Sequence, residues 1–395
     1  MKRNFLLEEI KDTVCSFRRI TTTCARQWLY LLGDEGVVYS EAQNRFAGLD
    51  AAGVAAYRAF DAGAHLEDLR STRADRSSSA SDDGLKAIYA LSRGNFPSED
   101  ARWDCPIVDK PRASNIDIHN IPVLLEYPAG PLEDLCRDYF RNCHATMQPA
   151  RCHLSAQREE DGWTIYANGR ELLSSLCDEQ IGLGMLHAAR ALLYAEAEYD
   201  VAFHAAMVAD RDCGVMLCAP REAGKSTLAA YLIAQGFDLL TDEPALLNLD
   251  TGSVASLRLP VALKEGSWIV LQHDWPELSG APIHIRSDGM KIRLLHPLET
   301  GFSAHSRKLT HILFPHYHPA SVAHAERLSP LQTLNLLNEG GMLLGKHLDR
   351  HRFEAFLRLV SLTPAYAIGY ASLREALHMI HDLSLPVESS RDLST

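Results

Sequence analysis

The chain has no apolar run that approaches the roughly 18 residues of a transmembrane helix, so we expect no membrane span. Residues 1–10 contain neither an uninterrupted apolar core nor a small-residue cleavage site, which indicates a cytoplasmic helix rather than a signal peptide. The nine cysteines form no Cys-x-x-Cys pair and match no common zinc spacing. We therefore interpret them as reduced thiols.

Positive charge is also in short supply. The 39 Lys and Arg residues are outnumbered by 51 Asp and Glu, which gives a formal net charge of −12. This acidic balance argues against nucleic acid as a partner. A length of 395 residues with 46% apolar side chains predicts a soluble protein of two or three domains.

The most informative segment is residues 219–227, with the sequence APREAGKST. It follows the apolar, strand-like residues 214–218 and precedes a helical pattern that starts at Leu228. A strand–loop–helix of this kind binds phosphate through backbone N–H groups and the helix N-terminus. Its first position is usually Gly, and Ala fits there if its φ is negative. The alternative is a chance Gly-Lys-Ser at a helix start. The candidate nucleotide-binding residues are Ala219, Pro220, Arg221, Glu222, Ala223, Gly224, Lys225, Ser226 and Thr227.

Two further patterns lie close to this loop in the sequence. Residues 237–241 predict a short strand that ends at Asp242 and Glu243, where Mg²⁺ and a general base belong. Such an early return is typical of kinases that pair this strand with the loop strand. The alternative for the acidic pair is a solvated turn. Residues 201–208 alternate like a strand and would place His204 beside the loop strand, although a lone histidine is more often structural.

Residues 195–330 resemble the C-terminal domain of HPr serine kinase/phosphorylase and its kinase relatives, some of which phosphorylate ribosomally made peptides. The resemblance implies an α/β P-loop kinase core of the HPr kinase/PEP carboxykinase-like type, with ATP and Mg²⁺. It makes Asp242 the base for a serine or threonine hydroxyl, with His204 orienting that carboxylate and Lys225 neutralising phosphate charge. The implied metal ligands are Ser226, Asp242 and Glu243.

Residues 258–264 resemble a basic segment of the related kinases. This adds Arg258 and Lys264 to the candidate cofactor-binding residues. The alternative is a strand with two solvated cations.

The N-terminal third has a different pattern. Residues 28–39 predict a β-hairpin, residues 45–49 a third strand, and residues 51–60 a helix capped by Asp50, with two more helices beyond. Residues 26–94 resemble the PqqD family, whose α+β, winged-helix-like members bind the leader of a precursor peptide as an added strand. Alternatively, this module packs on the kinase or contacts DNA. The implied peptide-binding residues are Arg45, Phe46, Leu85, Ile88 and Tyr89.

The predicted organisation is an N-terminal helix, the PqqD-like module, a linker, a lobe and a nucleotide-binding core. The respective boundaries are residues 1–25, 26–94, 95–119, 120–200 and 201–395, of which 120–395 form the kinase domain. The predicted function is ATP-dependent phosphorylation of a precursor peptide, with a homo-oligomer left open. A small-molecule kinase and a non-catalytic, nucleotide-responsive peptide chaperone are the alternatives.

Overall fold

The computed structural model describes residues 17–22, 26–61, 111–211, 213–220, 223–286, 288–297, 301–303, 305–346 and 348–384. The architecture of these residues is mixed α/β with several sheets. None of their helices is long and apolar enough to cross a membrane.

The N-terminal part forms a four-stranded antiparallel sheet in the order β1-β2-β3-β4, followed by one helix. Its elements are β1 (Arg18–Thr21), β2 (Gln27–Leu32), β3 (Glu35–Ser40), β4 (Arg45–Leu49) and α1 (Ala51–Asp61). The predicted hairpin, third strand and helix are confirmed. Asp50 caps α1, because its Oδ1 accepts a hydrogen bond from the Gly53 N–H at 2.7 Å.

The helix expected over residues 1–25 is wrong for residues 18–21. This segment is β1, which pairs with β2 and so gains a backbone ladder that the local sequence pattern does not reveal. Residues 1–16 and 23–25 lie outside the described residues, as do the two further helices expected beyond residue 61.

The lobe is a six-stranded sheet in the order β10-β9-β8-β6-β5-β7. Its elements are β5 (Pro111–Ile118), β6 (Ile121–Pro128), α2 (Pro131–Tyr139), β7 (His144–Ala145), β8 (Cys152–Glu159), β9 (Gly162–Ala167), β10 (Arg170–Leu176) and α3 (Ile181–Glu196). The linker expected over 95–119 is wrong at its C-terminal end. β5 pairs with β6 along its whole length, and this partner makes a strand of a segment whose own sequence looks polar and irregular.

The remaining residues form three sheets, five α-helices and one 3₁₀ helix (Pro276–Ser279) within the described ranges. The strands are β11 (Val201–Phe203), β12 (Ala205–Asp210), β13 (Cys213–Cys218), β14 (Asp238–Thr241), β15 (Ala245–Asn248), β16 (Ser253–Val254), β17 (Val261–Lys264), β18 (His284–Ile285), β19 (Lys291–Leu295), β20 (Arg307–Lys308), β21 (His311–Tyr317), β22 (His324–Arg327), β23 (Met342–Leu344) and β24 (Ala365–Tyr370). The helices are α4 (Lys225–Ala234), α5 (Glu265–Leu271), α6 (Pro330–Glu339), α7 (Arg350–Leu362) and α8 (Leu373–Ser384).

The sheet that carries the phosphate-type loop has the order β14-β12-β13-β21-β24-β22. β13 lies inside it, antiparallel to β12 and parallel to β21, which explains its continuous apolar sequence. β14 pairs with β12, so the expected direct pairing between β14 and the loop strand is wrong. β11 and β15 belong to a separate sheet in the order β20-β16-β15-β11-β23.

The single strand expected over residues 201–208 is also wrong. It divides at His204 into β11 and β12, which lie in different sheets. Ala205, the first residue of β12, pairs with Cys218, the last residue of β13. His204 is therefore at the end of the sheet where the loop begins, as predicted.

The N-terminal sheet shares a hydrophobic core with α6 and α7. The Tyr39 ring stacks on Phe353 with centroids 4.0 Å apart, and its hydroxyl donates to the Leu348 carbonyl at 2.7 Å. Arg19 and Glu354 form a buried ion pair at 2.8 Å across the same boundary. These contacts correspond to the alternative in which the module packs on the rest of the protein.

Candidate active site

The loop after β13 turns directly into α4. Gly224 precedes the helix with φ +89°, a left-handed conformation that favours glycine, and its carbonyl accepts from the Leu228 N–H at 2.9 Å. Ala219 is buried and its φ is not positive, so the departure from Gly at this position is accommodated as expected. Arg221 and Glu222 lie outside the described residues.

Lys225, the first residue of α4, folds back over the loop. Its ammonium donates to the carbonyl oxygens of Ala219 at 2.5 Å and Pro220 at 3.1 Å. Burial lowers the pKa of Lys225, and the nearby carboxylates of Asp242 and Glu243 oppose this shift. The loop lysine and the acidic pair are therefore close enough to interact electrostatically.

Asp242 follows β14 and is only 8% exposed. Its Oδ2 accepts a hydrogen bond from the Ala262 N–H at 3.2 Å, whereas its Oδ1 has no hydrogen-bond partner within the described residues. Burial raises the pKa of this carboxyl, against the opposing effects of Arg190 and Ser226. A buried acceptor oxygen without a donor is costly unless a ligand satisfies it.

The carboxylate of Glu243 faces two basic side chains, those of His204 and Arg190. His204 Nδ1 lies 2.7 Å from its Oε1, and Arg190 Nη1 lies 3.7 Å from its Oε2. Although burial opposes ionisation, His204 and Arg190 hold the pKa of Glu243 well below its usual range. The expectation that His204 orients Asp242 is thus wrong, because its ring contacts Glu243.

Arg190 is the site residue that sequence reasoning missed. It comes from α3 in the lobe, far from the loop in sequence, and is 6% exposed. The sequence could have identified it, because Arg190 lies in the middle of a helix whose other residues are almost all apolar. Such a charge requires a partner that the helix itself cannot supply.

The remaining candidates fall into two groups. Lys264 lies near Lys225 and contributes to lowering its pKa, and the Thr227 hydroxyl lies 2.6 Å from that of Ser267. Arg258 instead contacts His144 of the lobe, with Nη1 2.8 Å from Nε2.

The candidate peptide site is described only in part. Arg45 and Phe46 lie on β4, and the Phe46 ring packs near Phe353, with centroids 5.7 Å apart. A groove lined by Phe46, Ala47, Gly48, Asn335, Asn338 and Glu339 runs between β4 and α6. Leu85, Ile88 and Tyr89 lie outside the described residues.

Two oxygen atoms in the site are suitable ligands for a magnesium ion. They are the unpartnered Oδ1 of Asp242 and the nearby Ser226 hydroxyl. Mg²⁺ prefers such hard oxygen ligands and takes only one or two from protein when it also binds phosphates. Glu243 is less suited, because His204 and Arg190 already face its carboxylate.

No protein-family model matches the chain, and no curated protein matches it. Among solved structures, the chain is similar to the Hpr(Ser) kinase/phosphatase from Coxiella burnetii, with 12% identity over 46% of this chain and 96% of that chain. The TM-score of 0.22 makes this a weak likeness, and no functional assignment follows from it.

Proposed function

We propose that this protein is an ATP-dependent phosphotransferase with a P-loop kinase core, which phosphorylates a hydroxyl group. The observation that carries the proposal is the proximity of the Gly224–Lys225 loop to the buried carboxylate of Asp242, whose Oδ1 has no partner among the described residues. A phosphate cradle beside a candidate base is the minimum that phosphoryl transfer requires.

In the proposed reaction, the acceptor hydroxyl oxygen attacks the γ-phosphorus of ATP and forms the new O–P bond. The bond between the γ-phosphorus and the β–γ bridging oxygen breaks, and its electron pair leaves with ADP. Asp242 accepts the hydroxyl proton at Oδ2, which in this structure accepts a hydrogen bond from the Ala262 N–H at 3.2 Å. Ser226 and Asp242 would hold Mg²⁺, which neutralises phosphate charge when it is bound.

Two other side chains have supporting roles in this proposal. Lys225 exchanges its loop carbonyl partners for phosphate oxygens, and its charge stabilises the negative charge that develops during transfer. His204 acts through Glu243 rather than through Asp242, and fixes that carboxylate beside the base.

The direct test is incubation with ATP, Mg²⁺ and serine-containing peptides, including any short precursor encoded beside this gene, followed by mass spectrometry. We expect a phosphopeptide. Nucleotide binding without transfer would favour the non-catalytic regulator, and transfer only to small hydroxyl compounds would favour the small-molecule kinase.

We further propose that the acceptor is a peptide whose leader docks on β4. β4 is the last strand of its sheet within the described residues, and an extended chain can add to the edge strand of a sheet. The exposed amides of Asn335 and Asn338 line the adjacent groove and can bond to a peptide backbone. Leader binding there would tether the acceptor and raise its effective concentration at the site.

Filling the groove should separate recognition from catalysis. With Asn338→Trp, we expect the apparent KM for a precursor peptide to rise about tenfold, which corresponds to about 1.4 kcal/mol of lost binding. The rate with a leaderless acceptor should be unchanged, because the groove lies outside the candidate active site. Steady-state kinetics with both peptides measures this difference.

The matched control is Ala355→Trp, which places the same side chain at an exposed position of α7. It should change neither substrate's kinetics. An equal loss on both peptides in Asn338→Trp would mean that the groove supports the fold and does not select the substrate.

A further inference from the structure

Arg190 is a buried charge inside an apolar helix. Nearly every residue of α3 is buried, and Arg190 is itself 6% exposed. Taking a guanidinium out of water is expensive, and proteins normally compensate for it with several charged hydrogen bonds. The hydrogen-bond partners of Arg190 therefore show whether the protein itself compensates for this buried charge.

The compensation that Arg190 receives is incomplete. Its closest ion-pair contact is the 3.7 Å approach of Nη1 to Glu243, and His204 already holds that carboxylate at 2.7 Å. Nε and Nη2 are buried and have no hydrogen-bond partner within the described residues. One edge of the guanidinium fork thus carries two unused donors.

Arg19 and Arg352 have closer carboxylate partners than Arg190 does. Arg19, which is also buried, pairs with Glu354 at 2.8 Å. The fork of Arg352 bonds to both Asp200 and Asp250. Arg293 and Arg307 each leave one buried Nε without a hydrogen-bond partner within the described residues, whereas Arg190 leaves two donors on one edge of its guanidinium.

We propose that Arg190 is a catalytic residue that contacts the transferring phosphoryl group, with Nε and Nη2 each donating to one of its oxygens. This inference rests on the proposed function. Adjacent N–H donors on one guanidinium edge match two oxygens of a phosphoryl group. Arg190 Nη1 lies 3.7 Å from Glu243, the residue that follows the candidate base Asp242, so the guanidinium belongs to the same site.

This assignment gives the lobe a part in the chemistry. The loop, Lys225 and Asp242 all come from the nucleotide-binding core, whereas Arg190 projects from α3 of the lobe. Because Nε and Nη2 have no partner among the described residues, this edge of the guanidinium is free to bond to the charge that develops on the phosphoryl group, and so to stabilise the transition state more than the bound nucleotide.

The test compares two complexes of the full chain with fluorescent mant-ADP and Mg²⁺, one without and one with aluminium fluoride as a mimic of the transferring phosphoryl group. In the wild type, fluoride should tighten binding. Arg190→Lys, which keeps the charge but loses the fork, should bind mant-ADP within about twofold of the wild type and lose about 10²-fold or more of the fluoride-dependent tightening. Arg190→Gln should show the same selective loss if the lysine variant is unstable.

Arg137→Lys is the matched control, because it makes the same change at an exposed surface ion pair of α2. It should preserve the tightening. The inference would be overturned if both Arg190 variants kept the same fluoride-dependent tightening as the wild type. It would also be overturned if a variant bound mant-ADP equally more weakly with and without fluoride, because this would mark a structural role. A wild type that does not bind mant-ADP at all would instead overturn the proposed function, and the inference with it.

Discussion

Lys225→Ala should strongly slow phosphoryl transfer and weaken ATP binding while the fold stays intact. The ammonium is the cation of the loop, and the loss of such a stabilising group lowers kcat by about 10²- to 10³-fold. In the structure this side chain bonds only to loop carbonyls, and alanine is the best helix former at the start of α4. Mant-ATP titration, a transfer assay and a thermal melt measure the three quantities separately.

Lys291→Ala provides the control for the Lys225 variant. Lys291 is exposed and pairs only loosely with Glu265, at 3.6 Å, so its removal should leave both binding and transfer unchanged. Unchanged transfer in Lys225→Ala would remove the loop from the functional assignment.

Asp242→Asn should lower the rate of phosphoryl transfer but raise the melting temperature at neutral pH. The amide keeps an oxygen for the Ala262 N–H, so ATP should still bind, but it cannot accept the hydroxyl proton, and transfer should fall by about 10²-fold or more. Burial raises the pKa of Asp242 in the folded state, so its contribution to stability is present at acid pH and is lost as pH rises through the folded pKa. At neutral pH the variant should therefore melt at a higher temperature than the wild type.

Glu243→Gln is the matched comparison, because the adjacent carboxyl has the opposite shift. Despite burial, His204 and Arg190 lower the pKa of Glu243, so its ionised form contributes stability at pH values above its unfolded pKa. The glutamine variant should melt at a lower temperature at neutral pH. Identical melting shifts in the two variants would contradict the separate roles assigned to the two carboxylates.

The sequence predicted the features of the fold and of the candidate site that depend on local chain geometry. The loop between β13 and α4, the acidic pair after β14 and the cap of α1 by Asp50 each follow from a short run of residues. Such signals persist in the fold because the backbone groups that they satisfy are only a few residues away.

Two features that the sequence did not predict depend on contacts between segments that are far apart in the chain. Arg190 reaches Glu243 from another sheet's helix, and the division of the chain at His204 arises because its flanking strands find partners in different sheets. A residue-by-residue pattern contains neither of these long-range contacts, so only the folded arrangement identifies them. β5 is a different case, because its partner β6 is the next strand along the chain and only the polar sequence of β5 concealed it.

The stacking of Tyr39 on Phe353 links the two ends of the sequence. A segment that buries its aromatic side chains against a distant helix gains little by folding alone, and it melts with the body on which it packs. We therefore expect the N-terminal sheet and the C-terminal core (residues 201–395) to unfold in one cooperative transition. A peptide that binds β4 would then shift the melting of the whole protein, since any ligand of the native state stabilises the entire cooperative unit.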